Sequence, residues 1–174
     1  MIELVDFNDE YIEKSVEWHR DEILRDRIGL WNDSYTDEEL RNVVLEWINK
    51  KNSKLFGISK EGKPIGYILL KDIDTKNSYA TIHITITSEE QNKGYGYKAT
   101  QKIIDYAFDT LGLNKLCAYF VEDNRDIIEM MRNDEPFGFV EEGTLRESIN
   151  KKGRFRDLIY FGLLKKDYIY IKEK

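Results

Sequence analysis

A glycine-rich stretch, SEEQNKGYGYKAT at residues 88–100, separates a run of β-forming residues from an amphipathic segment. Gly94 and Gly96 stand two apart in it, although glycine inside a regular element costs about 0.5–1 kcal/mol relative to alanine. Such a pair has two ordinary uses, which are a tight turn and a set of bare backbone N–H groups that bind an anion at a helix start. Lys93 and Lys98 could add positive charge to an anion site. The residues of the loop leave both uses open.

Two helices are predicted ahead of this stretch. Apolar residues recur at helical spacing from Ile12 to Ile23, and Gly29 ends that pattern. Thr36 and Glu39 have the spacing of a capping box, with an amphipathic pattern behind them. A short strand, IELVDF, precedes both helices.

Strands and helices on either side of the glycine loop complete the predicted fold. Three strands joined by hairpins come before it: KLFGIS, PIGYILLKDID and YATIHITIT. A helix follows it, with its inward face formed by Ala99, Ile103, Ile104, Ala107 and Phe108 and its end at Gly112. The remaining elements are the strand KLCAYFV, the helix RDIIEMMR and a final hairpin of FVEEGTLRESI with FRDLIYFGLLKKDY. This order predicts a mixed α/β protein.

Length and composition restrict the class of protein. A chain of 174 residues with 41% hydrophobic content is long enough for one core, so we expect a single domain over residues 1–174. The apolar runs are short, and the N-terminus lacks the layout of a signal peptide, which predicts a cytoplasmic protein that does not enter a membrane. One cysteine, Cys117, and two histidines, His19 and His83, are too few for an ordinary metal site. We therefore expect no metal.

Charge is distributed unevenly along the chain. The net charge of −6 argues against a nucleic-acid partner. Residues 1–50 hold 14 acidic and 6 basic side chains, whereas the rest of the chain is nearly balanced. Two explanations fit this asymmetry: the solvated faces of two surface helices, or a wall that attracts cations.

The glycine loop also satisfies a dinucleotide-binding fingerprint. Gly94, Gly96 and Ala99 match the form G-x-G-x-x-A, and Glu122 and Asp123 lie beyond the next strand. A dinucleotide fold places this fingerprint in the first of several βαβ units. Hairpins surround the loop here, so the order of elements disfavours a nicotinamide-binding protein without removing it as an alternative.

The ordered segments resemble the GNAT superfamily of acyl-CoA N-acyltransferases, in particular the branch of the ribosomal-protein and spermidine N-acetyltransferases. The family pattern Gln/Arg-x-x-Gly-x-Gly/Ala is matched by Gln91, Gly94 and Gly96. Residues 93–124, KGYGYKATQKIIDYAFDTLGLNKLCAYFVEDN, and the terminal hairpin extend the similarity along nearly the whole chain. The resemblance implies the GNAT fold, with a mixed central sheet of about seven strands flanked by about four helices.

The same resemblance implies an acetyl-CoA site. Backbone N–H groups from Asn92 through Gly96, including Lys93, Gly94 and Tyr95, would bind the pyrophosphate at the helix start. Backbone groups of Ile84, Thr85 and Ile86 would pair with the pantetheine amides as an added strand would. Asn124 matches the asparagine that the family places beside the cofactor.

The reaction implied is direct transfer of an acetyl group from acetyl-CoA to a primary amine in a ternary complex. A lysine-like amine with a pKa of about 10.4 must lose a proton first, at a cost of about 4.6 kcal/mol at pH 7. His83 and Tyr119 are the candidates to assist, His83 as a base and Tyr119 as a hydrogen-bond donor or substrate positioner. From the acidic balance of residues 1–50 we expect a cationic acceptor, with Glu17, Asp21 or Glu22 near its channel. A homodimer is compatible with this interpretation.

Two departures from the family pattern concern the proton donor. Met131 stands where relatives commonly carry a tyrosine that protonates the leaving thiolate, and a thioether cannot donate a proton. A catalytically weak acyl-CoA-binding protein therefore remains an alternative to the enzyme. The segment MRNDEPFGF is also longer than in relatives, and Pro136 should end the preceding helix early. Asp134 and Glu135 of that loop would either orient an amine or be solvated.

Overall fold

The computed structural model describes residues 1–22, 24–25, 35–133 and 136–172, apart from the side chain of Tyr170. These residues form one seven-stranded sheet and five α-helices. The strands are β1 (Ile2–Asp6), β2 (Lys54–Lys60), β3 (Lys63–Asp74), β4 (Tyr79–Ile86), β5 (Lys115–Val121), β6 (Val140–Lys151) and β7 (Arg154–Leu164). The helices are α1 (Asp9–His19), α2 (Asp37–Asn49), α3 (Tyr95–Asp105), α4 (Arg125–Asn133) and α5 (Lys165–Lys172).

The strand order is β1-β2-β3-β4-β5-β7-β6, and among the described strands only the central β4–β5 pair is parallel. Strands β2 to β4 form the predicted antiparallel meander, β1 adds to it beside β2, and β6 and β7 form the predicted terminal hairpin. A hairpin cannot connect parallel neighbours, so the chain crosses from β4 to β5 through α3. The glycine loop lies at the start of that crossover.

Helix α3 covers one face of the sheet with the residues that its period predicted. Ala99, Ile103, Ile104, Ala107 and Phe108 are at most 1% exposed. A single π-helical turn, Tyr106–Thr110, continues the helix, and Gly112 follows in the left-handed region with φ of 66°. This helix is therefore fixed firmly against the sheet, and its N-terminus has a defined position.

Helices α1 and α2 contact each other near the opposite face, above a smaller aromatic core. Thr36 and Glu39 form the predicted capping box at the start of α2. Tyr11, Trp18 and Tyr67 are buried together beside His19, whose side chain has no exposed surface. The Nε2 atom of His19 lies 3.1 Å from the Tyr67 hydroxyl oxygen.

The first predicted helix is wrong in its length. Helix α1 ends at His19, and helical structure begins again at Glu22 after a turn at Arg20 and Asp21. The side chain of Asp21 accepts a hydrogen bond from the backbone N–H of Leu24, as an N-cap residue does. Local side-chain capping thus interrupts the apolar period. Ile23 and Gly29 lie outside the described residues.

The last predicted strand is too long. Strand β7 ends at Leu164, and residues Lys165–Lys172 form helix α5 rather than the end of the hairpin. Tyr168 packs against Phe108 of the π-helical turn after α3, and its hydroxyl donates to Asp105. Burial of this tyrosine, at 5% exposure, stabilises the helical course at a point where the sequence alternation favoured a strand.

Candidate active site

A cleft opens where β4 and β5 separate. The two strands pair only from Tyr79 to Thr81 on β4 and from Lys115 to Cys117 on β5. Beyond these three pairs they diverge and leave a cavity of about 390 Å³ between them. Nine predicted site residues line this cavity: His83, Ile84, Thr85, Ile86, Gln91, Asn92, Gly96, Tyr119 and Asn124. The divergence of two parallel strands therefore gathers residues that are far apart in sequence.

The wall formed by β4 has one edge that no strand of the described chain covers. Ile84, Thr85 and Ile86 pair through their other edge with Ile68, Tyr67 and Gly66 of β3. Their remaining backbone groups face the gap toward β5, where an extended amide chain could add as a strand does. The pantetheine arm of CoA is such a chain, so the wall fits it.

The glycine loop forms the second wall of the cleft. Gln91 donates from Nε2 to the carbonyl of Ile86 at 2.9 Å, which holds the loop against the end of β4. Asn92 and Gly94 take positive φ values of 59° and 76°. Gly94 is the N-cap of α3 and supplies no side chain to cap it. The tight turn and the anion site are therefore compatible, because the turn leaves the start of α3 without a side-chain cap.

Three of the predicted loop residues do not line the cavity. Lys93 pairs with Glu90 at 3.2 Å, and Glu90 also pairs with Lys60 at 3.2 Å. The Lys60 ammonium lies 4.9 Å from the centre of the Tyr95 ring. Gly94 acts through its backbone conformation. The positive charge of Lys93 is thus partly neutralised within the loop.

His83 and Tyr119 mark the closed end of the cleft. Each lies two residues beyond the last β4–β5 pair, so both side chains project on the α1 and α2 side of the sheet. Burial, with smaller contributions from Lys71 and His19, lowers the pKa of His83 to about 4. His83 is therefore neutral at pH 7 and is a weak base.

Tyr119 has a partner that the sequence analysis missed. The ammonium of Lys71 on β3 donates to the Tyr119 hydroxyl oxygen and lies 4.6 Å from the centre of its ring. The ring of Tyr160 on β7 lies alongside, with a centroid distance of 5.3 Å. A lysine directly after the apolar run YILL of β3 was the available signal.

The helix after β5 supplies the far wall. Asn124 lies at the start of α4, where its carbonyl accepts from the Ile128 N–H. Met131 is 9% exposed and lines the cavity, so the position of the family tyrosine does face the cleft. Asp134 and Glu135 lie outside the described residues. Burial raises the pKa of the Cys117 thiol, which makes this side chain a poorer nucleophile.

The two histidines should make stability depend on pH. Burial lowers the pKa of His19 to about 4 as well as that of His83. Between pH 6.5 and 5 the unfolded chain binds more protons than the folded chain. The free energy of unfolding is therefore highest above this range and decreases as the pH is lowered through it. We expect a loss of about 1.5 kcal/mol for each histidine from pH 6.5 to 5, measured by urea unfolding. His19→Gln should remove about half of this slope, and an unchanged slope in that variant would contradict the assignment.

The structure shows neither a metal-binding cluster nor a membrane-spanning helix among the residues that it describes. No group of three or more potential metal ligands is found in the described ranges. No described helix is long and apolar enough to cross a bilayer.

Comparison with known proteins identifies the fold and the chemistry. Residues 2–133 match the model of the GNAT acetyltransferase domain. A putative ribosomal N-acetyltransferase of Bacillus subtilis is 31% identical over 153 residues, 82% of this chain and 80% of that protein. A spermidine N(1)-acetyltransferase of Vibrio cholerae is 28% identical over 133 residues, 76% of this chain and 75% of that protein.

Solved structures agree with this assignment of the fold. The crystal structure of a spermidine N-acetyltransferase from Vibrio cholerae in complex with CoA and spermine superposes with a TM-score of 0.84 at 21% identity. The match covers 97% of this chain and 98% of that chain. These findings favour neither the dinucleotide-binding alternative nor the inactive acyl-CoA-binding protein. The chain belongs to the GNAT acetyltransferase family and is an acetyl-CoA-dependent N-acetyltransferase that acts on an amine.

Proposed function

We propose that the acceptor is a cationic primary amine that enters from the side of α1 and α2. The observation that carries this proposal is the position of the acidic segment after α1. Asp21 accepts a hydrogen bond from Ser88, two residues after β4, and Leu24 lines the cleft. Glu22 lies between them in sequence, and its side chain is 78% exposed. Two carboxylates therefore stand beside the opening of the cavity.

The neighbouring charges rank the predicted acidic residues. Glu17 pairs with Lys14 on the same helix at 2.8 Å, which weakens the attraction of its carboxylate for a cationic ligand. Glu22 approaches Lys152, at the tip of the β6–β7 hairpin, to 3.9 Å. An exposed pair at this distance is weak and can be exchanged for an incoming ammonium group. Glu22 is thus the preferred contact, and Asp21 lies beside it with its carboxylate held by Ser88 and the Leu24 N–H.

The relatives support a cationic acceptor through their names. Two kinds are represented, spermidine N(1)-acetyltransferases and a putative ribosomal N-acetyltransferase. Polyamines carry several ammonium groups. A small polyamine is the acceptor that we would test first, with a lysine-containing or N-terminal peptide as the comparison.

We assign the cofactor contacts by the same geometry. The open edge of Ile84–Ile86 would hold the pantetheine amides, and the N–H groups from Asn92 to Gly96 would hold the pyrophosphate. Asn124 would contact the arm from the side of β5. Acetyl-CoA, when bound, supplies an activated acetyl group. His83 is neutral and would accept a hydrogen bond from the amine while its proton passes to solvent.

Ionic strength and two charge variants test the acceptor. Raising the salt concentration from about 0.01 M to 0.15 M shortens the Debye length from about 30 Å to 8 Å, so KM for a cationic acceptor should rise. Asp21→Asn and Glu22→Gln should each raise KM about twofold to fivefold with kcat unchanged, the effect of losing one solvent-screened attraction. Glu10→Gln, at the opposite end of α1, is the matched control. A KM that responds to neither salt nor these variants would leave the acidic segment as solvated surface only.

A further inference from the structure

We propose that Tyr119, oriented by Lys71, is the catalytic acid that protonates the departing thiolate. The inference rests on the acetyl transfer and on the cofactor position proposed above. It answers a question that Met131 raises, because a thioether at that wall of the cleft has no proton to give. Among the described residues, Tyr119 is the O–H donor at the closed end of the cavity whose partner is a cation.

The position of Tyr119 follows from the way that β4 and β5 separate. The last pair joins Thr81 to Cys117, and Tyr119 lies two residues further along β5, opposite His83. With pyrophosphate at the start of α3 and the arm running back along Ile86 to Ile84, the sulfur arrives at this end. An extended chain advances about 3.3 Å per residue, so the arm is aligned with the strand that leads to His83 and Tyr119. The phenol is thus placed beside the reacting bond.

Lys71 determines which way the phenol can act. Its ammonium donates to the hydroxyl oxygen of Tyr119, so that oxygen is an acceptor toward Lys71 and its own proton must point elsewhere. The ammonium also lies over the Tyr119 ring, at 4.6 Å from its centre. Two contacts from one cation hold the ring in a single orientation. The free direction of the O–H group is the cleft.

The surroundings of Lys71 leave its ammonium group to Tyr119. The register of β3 shifts between Lys71 and Asp74, and Asp72 adopts a positive φ of 53°. The Asp72 carboxylate pairs with Lys50, at 2.9 Å. Within the part of the chain that the structure describes, Lys71 forms no ion pair with a carboxylate. Its charge remains directed at Tyr119.

The proton transfer balances with groups that are present. The amine nitrogen forms a bond to the acetyl carbon and releases one proton to solvent, the carbon–sulfur bond breaks, and its electron pair goes to sulfur. Tyr119 gives its phenolic proton to that sulfur, and the resulting phenolate is paired with the Lys71 ammonium. Tyr119 then regains a proton from solvent once CoA leaves. No further reactant is needed.

Kinetic variants separate this role from a structural one. Tyr119→Phe should lower kcat about 100-fold, the lower end of what a general acid contributes, with KM for acetyl-CoA unchanged. Lys71→Met should lower kcat about tenfold, and Lys71→Arg should recover most of that loss because it keeps the donor and the charge. In the Tyr119→Phe background Lys71→Met should have no further effect. Equal kcat in Tyr119→Phe, or additive losses in the double variant, would overturn the proposal.

A second measurement does not depend on turnover. Labelling tyrosine at the ring carbon that bears the hydroxyl gives one NMR signal for Tyr119, assigned by its absence in Tyr119→Phe. Lys71→Met should shift this signal in the free protein, and binding of CoA should shift it in the wild type. The titratable or charged groups facing Tyr119 are Lys71 on β3, His83 on β4, Cys117 on β5 and Tyr160 on β7, so the pH is held at 7. If the wild type transfers no acetyl group to any amine, the proposed function is wrong. If the Tyr119 signal shifts neither in Lys71→Met nor on CoA binding, only this inference is wrong.

Discussion

Gly94→Glu is expected to weaken acetyl-CoA binding at least 100-fold. Gly94 takes a φ of 76°, where a residue with a Cβ loses about 1–2 kcal/mol, and it caps α3 at the start of the anion site. A carboxylate there would also repel the pyrophosphate and would occupy the space of the uncapped N–H groups. The strain is present in the free and the bound protein alike, so it lowers the free energy of unfolding and not the affinity. Charge repulsion and lost N–H contacts to the pyrophosphate together reach about 3 kcal/mol, which corresponds to a factor of about 100 in the dissociation constant.

Thermal unfolding with and without ligand measures this loss. Acetyl-CoA at 100 times its dissociation constant should stabilise the wild type by about 2.7 kcal/mol, and NADH should not. Gly96→Ala is the matched control, because a Cβ there would lie 3.8 Å from Ile86 and the residue is helical. That variant should gain about 0.5–1 kcal/mol of stability and still bind acetyl-CoA. Normal binding by Gly94→Glu would refute the anion-site assignment.

Gly66→Ala is expected to reduce both stability and acetyl-CoA affinity. A Cβ at this position of β3 would lie 2.1 Å from the carbonyl oxygen of Thr85, which is backbone and cannot turn aside. Strand β4 must therefore shift at the residues that form the open edge of the cleft. Overpacking of this kind costs about 1–3 kcal/mol, and we expect the upper part of that range in urea unfolding.

Gly162→Ala separates this effect from the general cost of a side chain in a strand. A Cβ there would also be too close to a neighbour, at 2.3 Å, but the neighbour is the Glu142 carboxylate. That side chain is 40% exposed and can swing into solvent with the loss of its surface pair to Lys115. We expect less than about 1 kcal/mol of destabilisation and unchanged affinity. Equal effects of Gly66→Ala and Gly162→Ala would show that the β4 edge is not what the first variant disturbs.

Local patterns in the sequence were sufficient for most elements of this protein. The capping box of Thr36 and Glu39, the inward face from Ala99 to Phe108 and the glycine loop each depend on residues a few positions apart. Backbone hydrogen bonds and side-chain burial act over that same short range, so the elements that they favour survived in the folded protein. Family similarity then implied a mixed sheet of about seven strands, and the described residues form one with seven.

Tertiary packing decided the features that local patterns could not. Asp21 caps a new helical segment and also accepts a hydrogen bond from the Ser88 hydroxyl. The first helix therefore ends at His19. Residues Lys165–Lys172 form a helix because this places Tyr168 in a buried site beside α3, where its hydroxyl donates to Asp105.

The proposed catalytic arrangement depends on still longer distances along the chain. Lys71 and Tyr119 are 48 residues apart in sequence and meet only because β3, β4 and β5 lie side by side in the sheet. The cleft itself exists because β4 and β5 stop pairing after three residues. Strand separation and side-chain contact across a sheet depend on the positions of all the layers at once, and no short window of sequence contains that information.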